Sequence, residues 1–122
     1  MDRTYFFDTY AIIEVLKGSD NYTQLRNVRI ITSKLNIFEV YYYLLRTVGE
    51  EIAKEIAKEY YKYVTDYDLD TISEASKLKH ELRKREISMT DCIGYILSKK
   101  YKVPFLTGDL EFENMENVAF VK

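Results

Sequence analysis

The chain alternates short extended runs with stretches of helical periodicity, and the links between them leave room for only one kind of sheet. Arg3 to Phe7 is short, aromatic and apolar. Asp8-Thr9 then opens a stretch in which Ala11, Ile12, Val15 and Leu16 recur at helical spacing until Lys17-Gly18 stops it. Val28 to Thr32 is β-branched, and Ser33 or Asn36 caps a helix running to about Val48. Gly49 separates it from a helix expected over Glu50 to Val64, with Ile52, Ile56, Tyr60 and Val64 as its apolar stripe. A very short strand is expected around Leu69, and Ile72, Ala75, Leu78 and Leu82 mark a helix to about Arg85. Thr90 to Tyr101 reads as a helix, Val103 to Thr107 as a strand turned by Gly108-Asp109, and Val118 to Val121 as the last strand. Strands alternating with helices in this way predict parallel pairing with helices on both faces, in a mainly parallel sheet of four to five strands.

One Pro, four Gly and no low-complexity tract leave nothing that reads as a linker, so residues 1–122 are expected to form one domain. With 47% apolar and 31% charged residues the chain lies in the globular range. No apolar run approaches the ~20 residues a membrane span needs. Asp2 and Asp8 stand where a secretory leader would be basic and then apolar, so a cytoplasmic protein is expected. Cys92 is the sole cysteine, which excludes an internal disulfide and a cysteine-based zinc site.

The formal charge of −2 hides a polarised distribution: Lys77 to Lys102 holds eight basic and three acidic residues, against ten basic and seventeen acidic elsewhere. A nucleic-acid partner is therefore open through one face, with Lys77, Lys79, Arg83, Lys84, Arg85, Lys99, Lys100 and Lys102 as candidate phosphate contacts; a solvated helix surface explains such a run as well.

Ligands of parallel sheets bind outside the carboxyl ends of the strands, and there the sequence places acids. Asp8 ends Tyr5-Phe6-Phe7 and Asp109 ends Phe105-Leu106-Thr107-Gly108; singly, each also reads as a helix cap or turn acid. Glu39 is the only charged residue from Leu35 to Leu45. A helix apolar all round is a buried one, so this carboxylate must be paired, neutralised, exposed at a cleft or bound to a metal. A capping box, Asn36-x-x-Glu39, is the competing explanation. Asp91 opens a late helix in Ser88-x-x-Asp91, again a capping-box pattern. As a set, four acids converging on one end of a sheet repel one another unless a cation neutralises them. Oxygen ligands without His or Cys select Mg²⁺ or Mn²⁺, the cations of phosphoester hydrolysis, in which a metal-bound water attacks phosphorus in line. Such hydrolysis leaves a 3′-hydroxyl and a 5′-phosphate. No phosphate-binding Gly loop or Ser-His-Asp set competes.

At these residues the sequence resembles the PIN-domain nucleases, most closely the small VapC-type toxins of toxin–antitoxin pairs. The match runs in order along nearly the whole chain: Asp8-Thr9, Glu39, Ser88-x-x-Asp91 and Thr107-Gly108-Asp109. The resemblance implies a three-layer α/β/α sandwich, a Mg²⁺- or Mn²⁺-dependent endoribonuclease, homodimerisation and inhibition by a small antitoxin protein. It makes Asp8, Glu39, Asp91 and Asp109 the catalytic and metal-binding quartet, with Asp8 and Asp91 as direct ligands and Thr107 orienting a carboxylate or phosphate. Two departures stand out: Tyr10 replaces a small polar residue after Asp8-Thr9, and a further acid beyond Asp109 is either Glu111 or Glu113.

The remaining residues carry weaker readings. His80 is expected on the surface and Cys92 buried beside the site. Of three consecutive tyrosines, Tyr41-Tyr42-Tyr43, at least one must reach a second surface, suited to a partner or to stacking on unpaired bases; Tyr60, Tyr61 and Tyr63 form a similar cluster. The alternative function is a catalytically lapsed nucleic-acid-binding or protein-interaction module. A phosphoacceptor signalling domain needs paired acids at the first strand and an Asp ending a middle strand; Phe7-Asp8 and Thr32-Ser33 supply neither.

Overall fold

The computed structural model describes residues 3–122; Asp2, one of the two acids behind the N-terminal reading, lies outside them. Four strands, β1 (Thr4–Phe7), β2 (Arg29–Ile31), β3 (Phe105–Thr107) and β4 (Val118–Phe120), form one sheet in the order β2-β1-β3-β4, and every pairing is parallel. β1 is central, as expected of the first strand, and the connections leave it to opposite sides, so the β1–β3 boundary is the sheet's topological switch point.

Alternation along the strands splits the core in two. Tyr5, Phe7 and Leu106 face one side, where they meet α1 (Thr9–Leu16), a 3₁₀ segment (Asp20–Leu25), α2 (Lys34–Thr47) and α3 (Glu50–Tyr61). Phe6 and Phe105 face the other, against α4 (Leu69–Glu81), α5 (Met89–Lys100) and a 3₁₀ turn (Leu110–Phe112). Helices, sheet and helices make the three layers of an α/β/α sandwich. On the second face the Phe105 ring centroid lies 5.7 Å from that of Phe6, 5.8 Å from Tyr95 and 4.9 Å from Phe112. Gly94 makes room for them, because a Cβ there would meet Phe6 Cε1 at 2.7 Å.

Three expectations need correction. Leu69 opens α4 instead of a strand, since Asp68 caps that helix by accepting from the Thr71 amide at 3.0 Å. The sheet is extended instead by a single parallel bridge, Thr32 to Val64. The buried line of α3 is Ala53 and Ala57, flanked by the partly buried Ile56 and Tyr60, while Ile52 points to solvent and α3 ends at Tyr61. Small residues win that face because α2 packs closely against it. Lastly, α2 is not buried all round: Phe38, Tyr42 and Leu45 are 73%, 58% and 45% exposed.

Candidate active site

The carboxyl ends of β1 and β3 open into a cleft of about 470 Å³ lined by Asp8, Thr9, Tyr10, Glu39, Ser88, Asp91, Gly108, Asp109, Leu110 and Lys122. All four acids singled out by the sequence therefore line one cleft, although they come from four different elements. Glu111 and Glu113 do not line it, and neither does His80, which is exposed.

The two strand-tip acids are fastened by the sheet. The Asp8 amide donates to the Leu106 carbonyl at 3.2 Å, and its Oδ1 accepts from the Ala11 amide at 2.8 Å, so Asp8 is also the N-cap of α1. The Thr107 hydroxyl donates to the Asp8 carboxylate and accepts from the Asp109 amide at 3.0 Å. One buried threonine thus ties together the ends of neighbouring strands. Asp109 Oδ1 in turn accepts from the Glu111 amide at 3.0 Å and starts the 3₁₀ turn.

The two helical acids are held by side-chain partners. Glu39 Oε1 accepts from the Thr9 hydroxyl at 2.5 Å; Thr9 Oγ1 accepts from Asn36 Nδ2 at 3.1 Å, and Asn36 Oδ1 accepts from Ser33 Oγ at 2.6 Å. Asn36 is fully buried and Ser33 is the N-cap of α2, so Asn36-x-x-Glu39 is not a capping box. Glu39 is half-buried and partnered at the cleft edge, which answers the cost of a lone carboxylate that its neighbours had suggested. Asp91 does form the box with Ser88: its Oδ2 accepts from the Ser88 amide at 3.0 Å while Ser88 Oγ accepts from the Asp91 amide at 3.1 Å. The bland capping role and a place in the cleft coexist, because Asp91 caps α5 from a position that also lines the cleft.

Crowding these charges has an electrostatic consequence. Burial pushes the Asp8 carboxyl up to about 7, only partly opposed by its bonds from Thr107 and Ala11, with Asp91 and Asp109 raising it further. Asp91 is raised too, first by burial and then by Asp109 and Glu39. A protein with no occupant for this cleft would do better with neutral side chains there. Among the described residues no three His, Cys, Asp or Glu side chains gather into a ready-made metal cage. Mg²⁺ does not require one, since it keeps several waters and takes one or two carboxylates. An all-oxygen donor set, in which a cation would favour the ionised form of the buried Asp8, fits a hydrated hard cation.

Thr9, Asn36 and Lys122 were missed as site residues by sequence reasoning. Thr9 and Asn36 stood in motifs read as caps, and only their separation of 27 positions hid the contact. Tyr10 does line the cleft, closing over Gly108, where a Cβ would lie 2.2 Å from Tyr10 Cε1. The basic run is only partly near: Lys99 and Lys100 sit at the far end of α5 from Asp91, paired with Glu116 at 2.9 Å and with Asp70 at 2.6 Å. They are surface ion pairs there. Arg85 is closer, donating to the Glu111 carbonyl at 3.2 Å. Cys92 is buried and lines a separate apolar pocket with Leu35, Ile72 and Met89.

Solved structures carry the same architecture. A toxin–antitoxin complex from Klebsiella pneumoniae matches with TM-score 0.75 at 15% identity, covering 94% of this chain and 95% of that one. The sarcin-ricin loop cleaving toxin VapC20 of Mycobacterium tuberculosis matches with TM-score 0.76 at 18% identity, covering 97% and 99%. DNA-bound VapBC from Salmonella typhimurium matches with TM-score 0.72 at 16% identity, covering 98% and 97%. None of the curated proteins matches the chain significantly. The family model of the PIN domain matches residues 5–118, in agreement with the fold, and the chain belongs to the PIN-domain family.

Proposed function

We propose that residues 1–122 form a single PIN-type domain acting as a Mg²⁺- or Mn²⁺-dependent endoribonuclease in the cytoplasm, the toxin of a toxin–antitoxin pair. The observation that carries this reading is the convergence of Asp8, Glu39, Asp91 and Asp109 on one cleft at the switch point of the sheet. Asp8 and Asp91 would hold the cation, with Glu39 and Asp109 completing the acidic wall. When bound, it supplies Lewis-acid activation of water and neutralises charge on the phosphodiester. The chain's own residues fix the geometry in advance. Thr107 holds Asp8 and the Asp109 main chain in register, Thr9 fixes the Glu39 carboxylate, and the Ser88 box fixes Asp91 at the cleft wall. Such preorganisation lowers the reorganisation needed as charge develops on the phosphate.

The antitoxin and a second copy of the chain are the proposed protein partners. Phe38, Tyr42 and Leu45, spaced as one helical stripe on α2, are a solvent-exposed apolar ridge of the kind that protein partners cover. Tyr42 is the exposed member of its run, stacked by Arg46 at 4.8 Å, while Tyr41 and Tyr43 pack against the core. No helix among the described residues is long and apolar enough to cross a membrane.

The purified protein is expected to cleave single-stranded RNA in Mn²⁺ or Mg²⁺, to stop in EDTA, and to leave 3′-hydroxyl and 5′-phosphate ends. Asp8→Asn and Asp91→Asn each reduce the rate on the order of 10²- to 10³-fold. Equal activity in either variant, with the fold intact by circular dichroism, overturns the assignment.

A further inference from the structure

Lys122 is, among the described residues lining the acidic cleft, the one cationic side chain. Its place is built. The main-chain oxygen of Lys122 accepts from Asn21 Nδ2 at 2.8 Å, the Val121 carbonyl accepts from the Tyr22 hydroxyl at 2.5 Å, and the Val121 amide donates to the Thr107 carbonyl at 2.9 Å. Segment 118–122 also closes down on Gly108, where a Cβ would meet the Val121 carbonyl at 2.5 Å. The 3₁₀ segment after α1 and the glycine beside Asp109 therefore hold residues 121 and 122 at the cleft. Tyr22 is fully buried, so the tether starts from the core and not from a mobile surface loop.

The ammonium itself is uncommitted. Among the described residues Lys122 makes no ion pair, even though four carboxylates line the same cleft. Lys62, Lys99 and Lys100, in contrast, each fold onto a nearby carboxylate. A lysine anchored by its backbone at a cleft lined by acids with which it makes no ion pair brings a positive charge to the same opening as four negative ones. A cation-bridged phosphodiester fits such an opening, since its phosphate is drawn by the ammonium and by any cation held at the carboxylates.

We propose that Lys122 is a phosphate-contacting residue of this cleft, its backbone placed by Asn21 and Tyr22, that binds the RNA backbone beside the acids. It rests on the nuclease reading for the identity of the ligand, and goes beyond it in naming a contact that none of the acidic motifs contains. As a point charge on a flexible stem, Lys122 contributes affinity and register without reading sequence.

The test is equilibrium binding of a fluorescein-labelled single-stranded oligoribonucleotide in EDTA, which separates binding from cleavage, over a salt series. Lys122→Ala is expected to weaken binding severalfold at low salt and to reduce the magnitude of the slope of log K against log salt by about 0.7, the loss of one contact to single-stranded phosphate. Lys122→Arg keeps both values near wild type, and Asp8→Asn keeps binding while losing cleavage in Mn²⁺. Lys122 is exposed, so folding is not at stake in either variant. Wild-type affinity and slope in Lys122→Ala, an equal loss in Lys122→Arg, or no binding by the wild-type chain each overturn the proposal. Absence of Mn²⁺-dependent cleavage alongside Lys122-dependent binding instead overturns the nuclease reading and leaves the contact standing.

Discussion

The cleft has two halves that solve the same problem differently. Asp8 and Asp109 ride on the tips of β1 and β3, fixed by the sheet and cross-tied by Thr107. Glu39 and Asp91 ride on α2 and α5, which pack on opposite faces of that sheet, and are fixed by short side-chain networks. The strand half gains rigidity at the expense of burial, which is why Asp8 ionises only near pH 7. The helix half, where burial raises Asp91 as well, depends on individual hydrogen bonds. A strained charge thus sits where the scaffold is stiffest, and adjustable acids sit where a single polar contact positions them.

The largest test of this contrast is the pH dependence of stability. Asp8 has its folded pKa raised from 3.8 to about 7, so below pH 4 it is protonated in both states and costs nothing. Between pH 4 and 7 the unfolded chain ionises first, folding must take up a proton, and stability falls; above 7 the loss is complete, roughly 4 kcal/mol by the size of the rise. Asp8→Asn should therefore unfold at a higher temperature than wild type at pH 8 and at the same temperature at pH 4. Adding Mn²⁺ at pH 8 should recover stability in wild type, because a ligand bound only by the folded state raises it, and should do so far less in the variant. Thermal melts at the two pH values check both statements. A flat profile would remove the distinction between the halves.

Next in size is Asn36→Ala in the helix half. Its amide is the link between Ser33 and Thr9, and removing it leaves buried polar groups without partners at a cost of about 1–3 kcal/mol. The Thr9 hydroxyl then loses its alignment on Glu39, and cleavage falls on the order of tenfold, with little change in the pH profile that belongs to Asp8. Urea denaturation together with initial rates in Mn²⁺ separates the two effects. A variant that shifts the pH profile of stability instead would show that the halves are electrostatically one unit.

How much of this was legible in the sequence follows the same division. The strand-tip acids were readable because an aromatic or apolar run ending in Asp, followed by helical spacing, fixes both the strand and its end. Glu39 was found through a premise the structure does not support: Phe38, Tyr42 and Leu45 are exposed, so the apolar surroundings marked an exposed ridge and not a buried helix. Ile52 was placed inward for the same reason, since hydrophobic spacing shows a stripe but not that Ala53 and Ala57 let the neighbouring helix come closer. The short strand near Leu69 failed because Asp68 is a strong N-cap that its acidic neighbours concealed. Thr9 with Asn36, and Asn21 with Lys122, are contacts across 27 and 101 positions, which no local pattern encodes.

The smallest expected effect falls on Ser88→Ala. Ser88 Oγ accepts one amide at the start of α5, and the reciprocal bond from the Ser88 amide to Asp91 Oδ2 survives the change. The loss is that of one N-cap acceptor, about 1 kcal/mol, smaller than for Asn36→Ala because Ser88 is exposed and water replaces it. Asp91 is more telling than the stability. Its carboxyl is already raised by burial, and the Ser88 side chain is one of the groups that lower it; without that group the carboxyl rises further. Cleavage in Ser88→Ala should therefore match wild type at pH 8 and fall away sooner as the pH is lowered. A parallel loss at all pH values would mean that Asp91 is placed by the serine hydroxyl itself, and that the helix half is as rigidly built as the strand half.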